Sequence, residues 1–321
     1  MERPPALRFA PLLLIRQILS SFVCQMENNI KTDKISTLYV SDLDGTLLNP
    51  DSRVSERSAA ILNRLVERGV MFTPATARTP ATVQPLMSAV RQSVYRDAAG
   101  ELCQLPAIVM TGAALWNRVD SRFEQCSLID RDDAEAIHRV FVREELRPFV
   151  YCLSDNGFIN VYHPAKMTSR ENSFYQERRH LALKRFHLDQ EPSRWDRVVL
   201  FFAIGPVGLV EKTASQLNGL TRCAAAWYPD ILLPQTGLID LYAPGVSKAK
   251  AVRELAAKVG AERIVVFGDN LNDLPMMREA DVAVAVDNAL PEVKAEADVV
   301  IGPNYEDSVP RYIAACEGID I

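Results

Sequence analysis

A chain of 321 residues, 48% of them hydrophobic and 24% charged, has ordinary globular composition and exceeds a typical domain, so two domains or one with a large insertion is the starting expectation. Its net charge of −5 excludes a general nucleic-acid or membrane-surface binder, which needs a basic face. An anionic substrate stays open, because a metal ion and one or two lysines can set the local potential.

Residues 1–33 stand apart from the rest. Arg3, Arg8 and the apolar run 11–23 loosely imitate a signal peptide, but Arg16 and Gln17 interrupt the run and it is too short to span a bilayer. The expectation is an N-terminal extension whose first 25 residues are either a mis-assigned upstream piece or a weakly ordered arm. The six cysteines (Cys24, Cys103, Cys126, Cys152, Cys223, Cys316) form no CxxC pair and no Cys/His cluster. Reduced thiols in a cytoplasmic setting are expected, since a chain of this size builds a core without disulfides.

At residue 38 a short apolar run, Leu38-Tyr39-Val40, leads into Ser41-Asp42-Leu43-Asp44-Gly45-Thr46. A buried strand ending in a turn places its ligand-binding loop at the carboxyl end of an open sheet. In extended chain, residues i and i+2 face the same way, so Asp42 and Asp44 can serve one site. Gly45 lets the backbone turn sharply and come close to a ligand. Two acids beside exposed N–H groups suit a divalent cation and a phosphoryl group, although each acid alone reads equally as a turn former.

A helix is expected over 55–69, with Ser55 as N-cap and Gly69 as stop, followed by a strand over 70–75 that ends at Thr76-Ala77-Arg78. A helix over 80–90 and a strand over 107–110 ending at Thr111-Gly112 continue an alternation typical of parallel α/β sheets. The alternation then changes. Helices over 133–144 and 172–186 and strands over 149–153, 158–162, 197–204, 224–227 and 238–241 describe an inserted α+β domain. From Ser247 the strand–helix alternation resumes: a helix to 259, a strand 263–267, a helix 272–280 and a strand 282–286. A short helix near 291–296, a strand 299–301 and a last helix from 306 complete it. The expected domains are therefore a core of 34–114 and 243–321, with an α+β cap of 115–242.

Asp269, Asn272 and Asp273 follow the strand 263–267 and fall at the same carboxyl edge as Asp42; a helix N-terminal acid box is the alternative reading. Thr76 could bond a phosphoryl oxygen or merely a local backbone group. Lys248 opens a helix, where the dipole gives a cation no help.

Taken in order, Asp42-Leu-Asp44-Gly-Thr46, Thr76, Lys248 and Gly268-Asp269 with Asn272-Asp273 resemble the haloacid dehalogenase superfamily of phosphohydrolases. Ala75-Thr76-Ala77-Arg78, Gly245-Val-Ser-Lys248 and Ala283-Val-Ala-Val-Asp-Asn-Ala289 resemble its Cof-type branch, which carries a large cap of the second type. Two departures stand out: Ala77 where the branch usually has Gly, and Thr111 where it usually has Asn. The stretch between Asp44 and Thr76 is consumed by one helix and one strand, so the cap belongs between Thr76 and Lys248.

The resemblance implies a Rossmann-like parallel-sheet core with an inserted cap. It implies Asp42 as the nucleophile that forms an aspartyl-phosphate and Asp44 as the general acid and then base. Mg²⁺ would be held by a carboxylate oxygen of Asp42, the backbone carbonyl of Asp44, and Asp269, with Asp273 orienting water or Lys248. Gly45, Thr76, Ala77, Lys248 and Asn272 would bind the phosphate; Arg78 would hold substrate or form a salt bridge. On the cap, Tyr151, Asn156, Asn160, Tyr162, His163, Trp227 and Tyr228 are polar or aromatic, with ordinary core or surface service the first reading of each. The expected activity is hydrolysis of a small phosphorylated metabolite, a sugar phosphate first and a phosphorylated cofactor such as a flavin or pyridoxal phosphate next. A phosphomutase and a catalytically silent binding protein on the same scaffold are the alternatives. Neither nucleic acid nor membrane is an expected partner.

Overall fold

A computed structural model describes residues 35–230 and 233–321; the expectation for residues 1–33 lies outside the described residues. The described residues divide into two compact units, one built from 35–72 with Ala89–Ser93 and Gly260–Ile321, the other from Thr73–Ser88 and Val94–Val259.

The first unit is built on a sheet with the strand order Val299–Ile301, Val282–Val286, Arg263–Gly268, Thr37–Ser41, Met71–Pro74. The first four run parallel to one another. Leu38, Tyr39 and Val40 are all buried, as are Val265, Val266 and Phe267. A parallel strand covered on both faces reads as an unbroken apolar run, which is why the sequence pattern found these strands. Leaving Thr37–Ser41, the next strand lies on one side of it and the three C-terminal strands lie on the other. Such a reversal of strand order opens a crevice at the carboxyl ends. The helix Glu56–Glu67 buries Ala59, Ile61, Leu62 and Leu65 at helical spacing, and the Ser55 hydroxyl accepts from Ser58 N at 2.9 Å, as a cap should.

The second unit carries a six-stranded mixed sheet in the order Lys184–Leu188, Ile159–His163, Pro148–Leu153, Val198–Pro206, Thr236–Tyr242, Ala225–Pro229. Only the first pair is parallel. One face packs Val150, Cys152, Phe201, Ala203, Ile239 and Leu241 against Ile137 and Phe141 of the helix Arg131–Arg143 and against Val210, Ala214 and Leu217 of the helix Val207–Leu220. Strand alternation sends Phe149, Tyr151, Leu200, Phe202, Asp240 and Tyr242 to the opposite face. A smaller sheet, Ala107–Val109 with Ala114–Asn117 and Arg122–Cys126, continues across residues 114 and 115.

The elements depart from expectation most around residues 169–188 and 207–220. The helix placed over 172–186 is Ser169–Arg178, and its last expected turn is instead the strand Lys184–Leu188. Thr168 and Glu171 form a reciprocal capping box (Thr168 N to Glu171 Oε2 2.6 Å, Glu171 N to Thr168 Oγ1 3.2 Å), which starts the helix early. Beyond Arg178, pairing in register with Ile159–His163 decides the conformation, a long-range contact that local pattern does not encode. The helix Val207–Leu220 has no counterpart among the expected elements. Its buried residues Val210, Thr213, Ala214 and Leu217 do fall at i, i+3, i+4 and i+7, but Gly208 and Gly219 near its ends blur the signal.

No helix among the described residues is long and apolar enough to cross a membrane. Among the described residues, Cys103, Cys126, Cys152 and Cys223 are free thiols.

Candidate active site

Asp42 and Asp269 leave the sheet side by side. Thr37–Ser41 and Arg263–Gly268 pair in register, Ser41 opposite Phe267, and Asp42 N extends the ladder by donating to Phe267 O at 3.0 Å. One carboxylate oxygen each from Asp42, Asp269 and Asp273 comes within 4.8 Å of the other two. A cluster of this size could hold one divalent cation, whose ligands on opposite sides lie about 4–5 Å apart. All three donors are hard oxygens, and three carboxylates this close repel one another unless a cation lies among them.

Small residues and hydrogen bonds hold that cluster. Gly45 has φ +80°, and a Cβ there would lie 2.3 Å from Asp269 Oδ2, so its glycine is required by both conformation and space. Thr46 Oγ1 donates to Asp269 Oδ1 at 3.0 Å. Asp269 N and Asn270 N both donate to Asp273 Oδ2, at 3.1 and 3.2 Å. The turn is capped by the Asn270 side chain, which accepts from Leu271 N at 2.7 Å, and Asp273 supplies the reciprocal half of the capping box, so the capping reading holds for Asp273 and not for Asn272. Gly268 is needed as well, since a Cβ there would meet Asp273 Cβ at 2.6 Å. Asn272 is exposed, and so is Asp44, which stands two residues from the buried Asp42.

Asn288 and Thr46 carry duties that the sequence pattern did not assign. Asn288 Nδ2 donates to Gly45 O at 2.7 Å and so braces the turn after Asp42. Asn288 lies just past the strand Val282–Val286, at the same carboxyl edge as Asp42 and Asp269, and that position was the available signal.

The second unit gathers the remaining motif residues around one another. Thr76 N donates to Ile108 O, Thr111 N to Thr76 O, and Arg78 N to Thr76 Oγ1, at 3.0, 3.0 and 3.1 Å. Gly112, at φ +94°, sits where a Cβ would be 2.3 Å from Ser247 O, directly before Lys248. Lys248 is buried at the first position of the helix Lys248–Val259. Ala77 is absent from the residues with positive φ, so the Cβ it carries in place of a glycine costs nothing in backbone strain.

Thr111 is different. It adopts φ 59° and ψ 22°, directly after Met110 at φ 51°. A β-branched residue is strained in the left-handed region, which Asn tolerates. Thr111→Asn is therefore expected to raise unfolding stability by about 1 kcal/mol, read from denaturant melts; an unchanged or lower midpoint would remove the strain assignment.

The cap candidates separate by face. Tyr162 packs with the helix-covered core, the Asn160 side chain bonds His187, the Asn156 side chain bonds Ser154, and His163 Nδ1 meets Pro164 O, so these four have local work. Trp227 is exposed on the strand Ala225–Pro229. Tyr151 lies on the opposite face with Asp240, Tyr242 and Lys184, three residues that the sequence pattern did not single out. The alternation Leu238, Asp240, Tyr242 against Ile239 and Leu241 was the missed signal. Tyr228 OH donates to Asp240 Oδ2 at 2.8 Å. Burial raises the Asp240 carboxyl to about 6, against the opposing pull of that hydrogen bond. Burial, aided by Arg178, lowers the Lys184 ammonium to about 7. Burial also raises the Tyr151 and Tyr242 phenols.

Residues 39–313 match the family model described as haloacid dehalogenase-like hydrolase. The pyridoxal phosphate phosphatase of Escherichia coli strain K12 is 27% identical over 285 residues, covering 85% of this chain and 95% of that protein. The 5-amino-6-(5-phospho-D-ribitylamino)uracil phosphatase YcsE of Bacillus subtilis strain 168 is 25% identical over 281 residues, covering 86% of this chain and 94% of that one. Among solved structures, a sugar phosphatase of HAD subclass IIB superposes with a TM-score of 0.61 at 19% identity, covering 87% of this chain and 98% of the other.

Proposed function

The chain belongs to the haloacid dehalogenase-like hydrolases, as a Cof-type phosphatase, and from that premise we propose that it is a Mg²⁺-dependent phosphatase of a small phosphorylated metabolite with Asp42 as nucleophile. The observation that carries this reading is the convergence of Asp42, Asp269 and Asp273, with ligand oxygens within 4.8 Å of one another at the carboxyl ends of adjacent parallel strands.

An oxygen of Asp42 attacks phosphorus in line. The P–O bond to the leaving group breaks, and the leaving oxygen takes the proton of the Asp44 carboxylic acid. Asp44, now ionised, removes a proton from water; the hydroxide oxygen attacks phosphorus, the bond to Asp42 breaks, and inorganic phosphate leaves with both carboxyl groups restored. Exposure of Asp44 suits the second half of this cycle, in which water must reach it. Thr76, Lys248, Asn272 and the N–H groups at Gly45 and Ala77 meet the charge on the equatorial oxygens. Asp42, Asp269 and the Asp44 carbonyl would hold Mg²⁺, with Asp273 beside them. Bound there, the ion supplies charge neutralisation for the phosphoryl group.

The cap reads the part of the substrate beyond phosphate, and Arg78 assists at its entrance. A sugar phosphate and a phosphorylated nitrogen heterocycle are the two classes in view. Relatives whose names give pyridoxal phosphate and a ribitylaminouracil phosphate as substrates support the second. The free thiols support a reducing, cytoplasmic setting.

Hydrolysis of p-nitrophenyl phosphate with Mg²⁺, repeated with excess EDTA, tests the reading. Turnover is expected with the ion and a loss of at least about 100-fold with chelator. Full activity in EDTA would overturn the metal assignment, and absence of turnover across a panel of phosphate esters would overturn the phosphatase.

A further inference from the structure

We propose that Asn288 and Asn304 are positioning residues for the cation: together they hold the Gly45–Thr46 peptide, and through it they set the Asp269 carboxylate where Asp42 and Asp273 meet it. The proposal rests on the metal-dependent phosphatase reading and goes beyond it by naming residues outside the acid cluster that fix its geometry.

The turn after Asp42 is held from outside. Asp44 (φ −76°, ψ 119°) and Gly45 (φ 80°, ψ −9°) have the dihedrals of a type II turn. Its second central residue is a glycine, which brings no side chain to pack and the widest choice of backbone conformation. Leu48 N closes the loop on Leu43 O at 2.8 Å. Further support comes from the loops that follow the strands Val282–Val286 and Val299–Ile301. Asn288 Nδ2 donates to Gly45 O at 2.7 Å, Asn304 N donates to Asn288 Oδ1 at 2.8 Å, and Asn304 Nδ2 donates to Leu48 O at 2.6 Å. The orientation of the Asn288 amide is fixed by its partners, since a carbonyl oxygen only accepts and a backbone N–H only donates. Two side-chain amides thus strut two carbonyls three residues apart. The loop that carries Asn304 is itself pinned, with Ser308 Oγ donating to Pro303 O and Ser58 Oγ to Asp307 Oδ1, both at 2.8 Å.

What the strut holds bears on Asp269. A peptide is planar, so fixing Gly45 O fixes the direction of the Thr46 N–H and the place of the Thr46 Cα. Thr46 is buried, and its Oγ1 donates to Asp269 Oδ1 at 3.0 Å. Gly45 lies against the other oxygen, close enough that a Cβ would stand 2.3 Å from Asp269 Oδ2. The peptide that Asn288 holds therefore registers the Asp269 carboxylate at both of its oxygens. A small divalent cation tolerates little departure from octahedral geometry, so a loosened carboxylate is felt as weaker ion binding rather than weaker ester binding. Asn288 is exposed and Gly45 half-buried, so water can replace the lost donor and Asn288→Ala leaves no buried orphan to unfold the turn.

Binding of Mn²⁺, which takes the same hard oxygen ligands as Mg²⁺, is titrated by electron paramagnetic resonance on the full chain without substrate. Asn288→Ala should weaken Mn²⁺ binding about tenfold, the scale of one lost hydrogen bond. Asn304→Ala keeps its backbone bond to Asn288 and should weaken binding only about threefold. Thr46→Val cuts the hydroxyl link to Asp269. Combined with Asn288→Ala, its loss should fall short of the product of the two single losses by about threefold or more, because both act along one route. With p-nitrophenyl phosphate, the Mg²⁺ concentration for half-maximal rate should rise about tenfold in Asn288→Ala, while KM for the ester at saturating Mg²⁺ changes less than about twofold. Melts in EDTA check the fold: a merely structural brace would lower the midpoint and leave the Mn²⁺ affinity of the folded protein unchanged. Wild-type Mn²⁺ affinity in Asn288→Ala, or losses that multiply in the double variant, would overturn the positioning role and leave the phosphatase reading intact. If no ester turned over while Mn²⁺ binding still depended on Asn288, the phosphatase reading would fall and the positioning role would stand. Absence of Mn²⁺ binding in the wild type would overturn both.

Discussion

Asp42→Asn is expected to lower turnover of any phosphate ester by at least about 10³-fold, the scale seen when a covalent nucleophile is removed from an otherwise intact site. The substitution is nearly isosteric, and Asp42 is only 6% exposed, so the packing around Leu43 and Val40 has no reason to change. Its backbone N–H still donates to Phe267 O, which keeps the strand ladder whole. What disappears is an anionic oxygen able to attack phosphorus, together with one of three carboxylates that converge at the head of the site. Removing one of three mutually repelling charges has a second consequence. In EDTA the variant should melt at the same temperature as the wild type or higher, whereas a folding defect would lower it. Steady-state rates on p-nitrophenyl phosphate and melts with and without Mg²⁺ read both effects. Retention of more than about a tenth of wild-type activity would end the assignment of Asp42 as nucleophile.

Gly45→Ala is expected to cost about 100-fold in activity and about 2 kcal/mol in stability, through two separable effects. The first is backbone strain. At φ +80° an alanine is disfavoured by about 1 kcal/mol or somewhat more. The second is a collision: the new Cβ would stand 2.3 Å from Asp269 Oδ2. Something must move, and the carboxylate is tethered by Thr46 Oγ1 at 3.0 Å, so relief displaces a metal-ligand candidate. Gly69 supplies the control. It has the same φ of +80°, but a Cβ added there would meet nothing within 4 Å, so Gly69→Ala carries the strain without the collision. Both variants should lose stability, but only Gly45→Ala should raise the Mg²⁺ concentration needed for half-maximal rate. Equal Mg²⁺ requirements in the two would show that the approach of Gly45 to Asp269 has no bearing on the metal site.

Legibility in the sequence followed burial. Thr37–Ser41 and Arg263–Gly268 could be read directly because parallel strands covered on both faces are continuously apolar, and the acids that end them mark the carboxyl edge. Glu56–Glu67 could be read because its cap and its buried stripe agree. The strand Lys184–Leu188 could not: its residues Lys184, Arg185 and His187 give no strand pattern, and only pairing with Ile159–His163 makes it one. Asn288 and Gly268 were illegible as site residues for a related reason, since what they brace or make room for is more than three residues away along the chain or belongs to another loop.

By itself the sequence determined the chemistry on offer. Asp42, Asp44, Asp269 and Lys248, in their order, carry the family resemblance that implies the reaction, and the acids are legible because they sit where an apolar run stops and a strand must end. Only the tertiary structure decided that Asp42, Asp269 and Asp273 meet, since residues more than 200 positions apart become neighbours through strand order, a non-local property. It alone also chose which face of the six-stranded sheet carries Tyr151, Asp240 and Tyr242. Alternation gives each strand two faces, and where both carry apolar residues, as Phe149 and Val150 do, only the packing of the helices decides which face they cover.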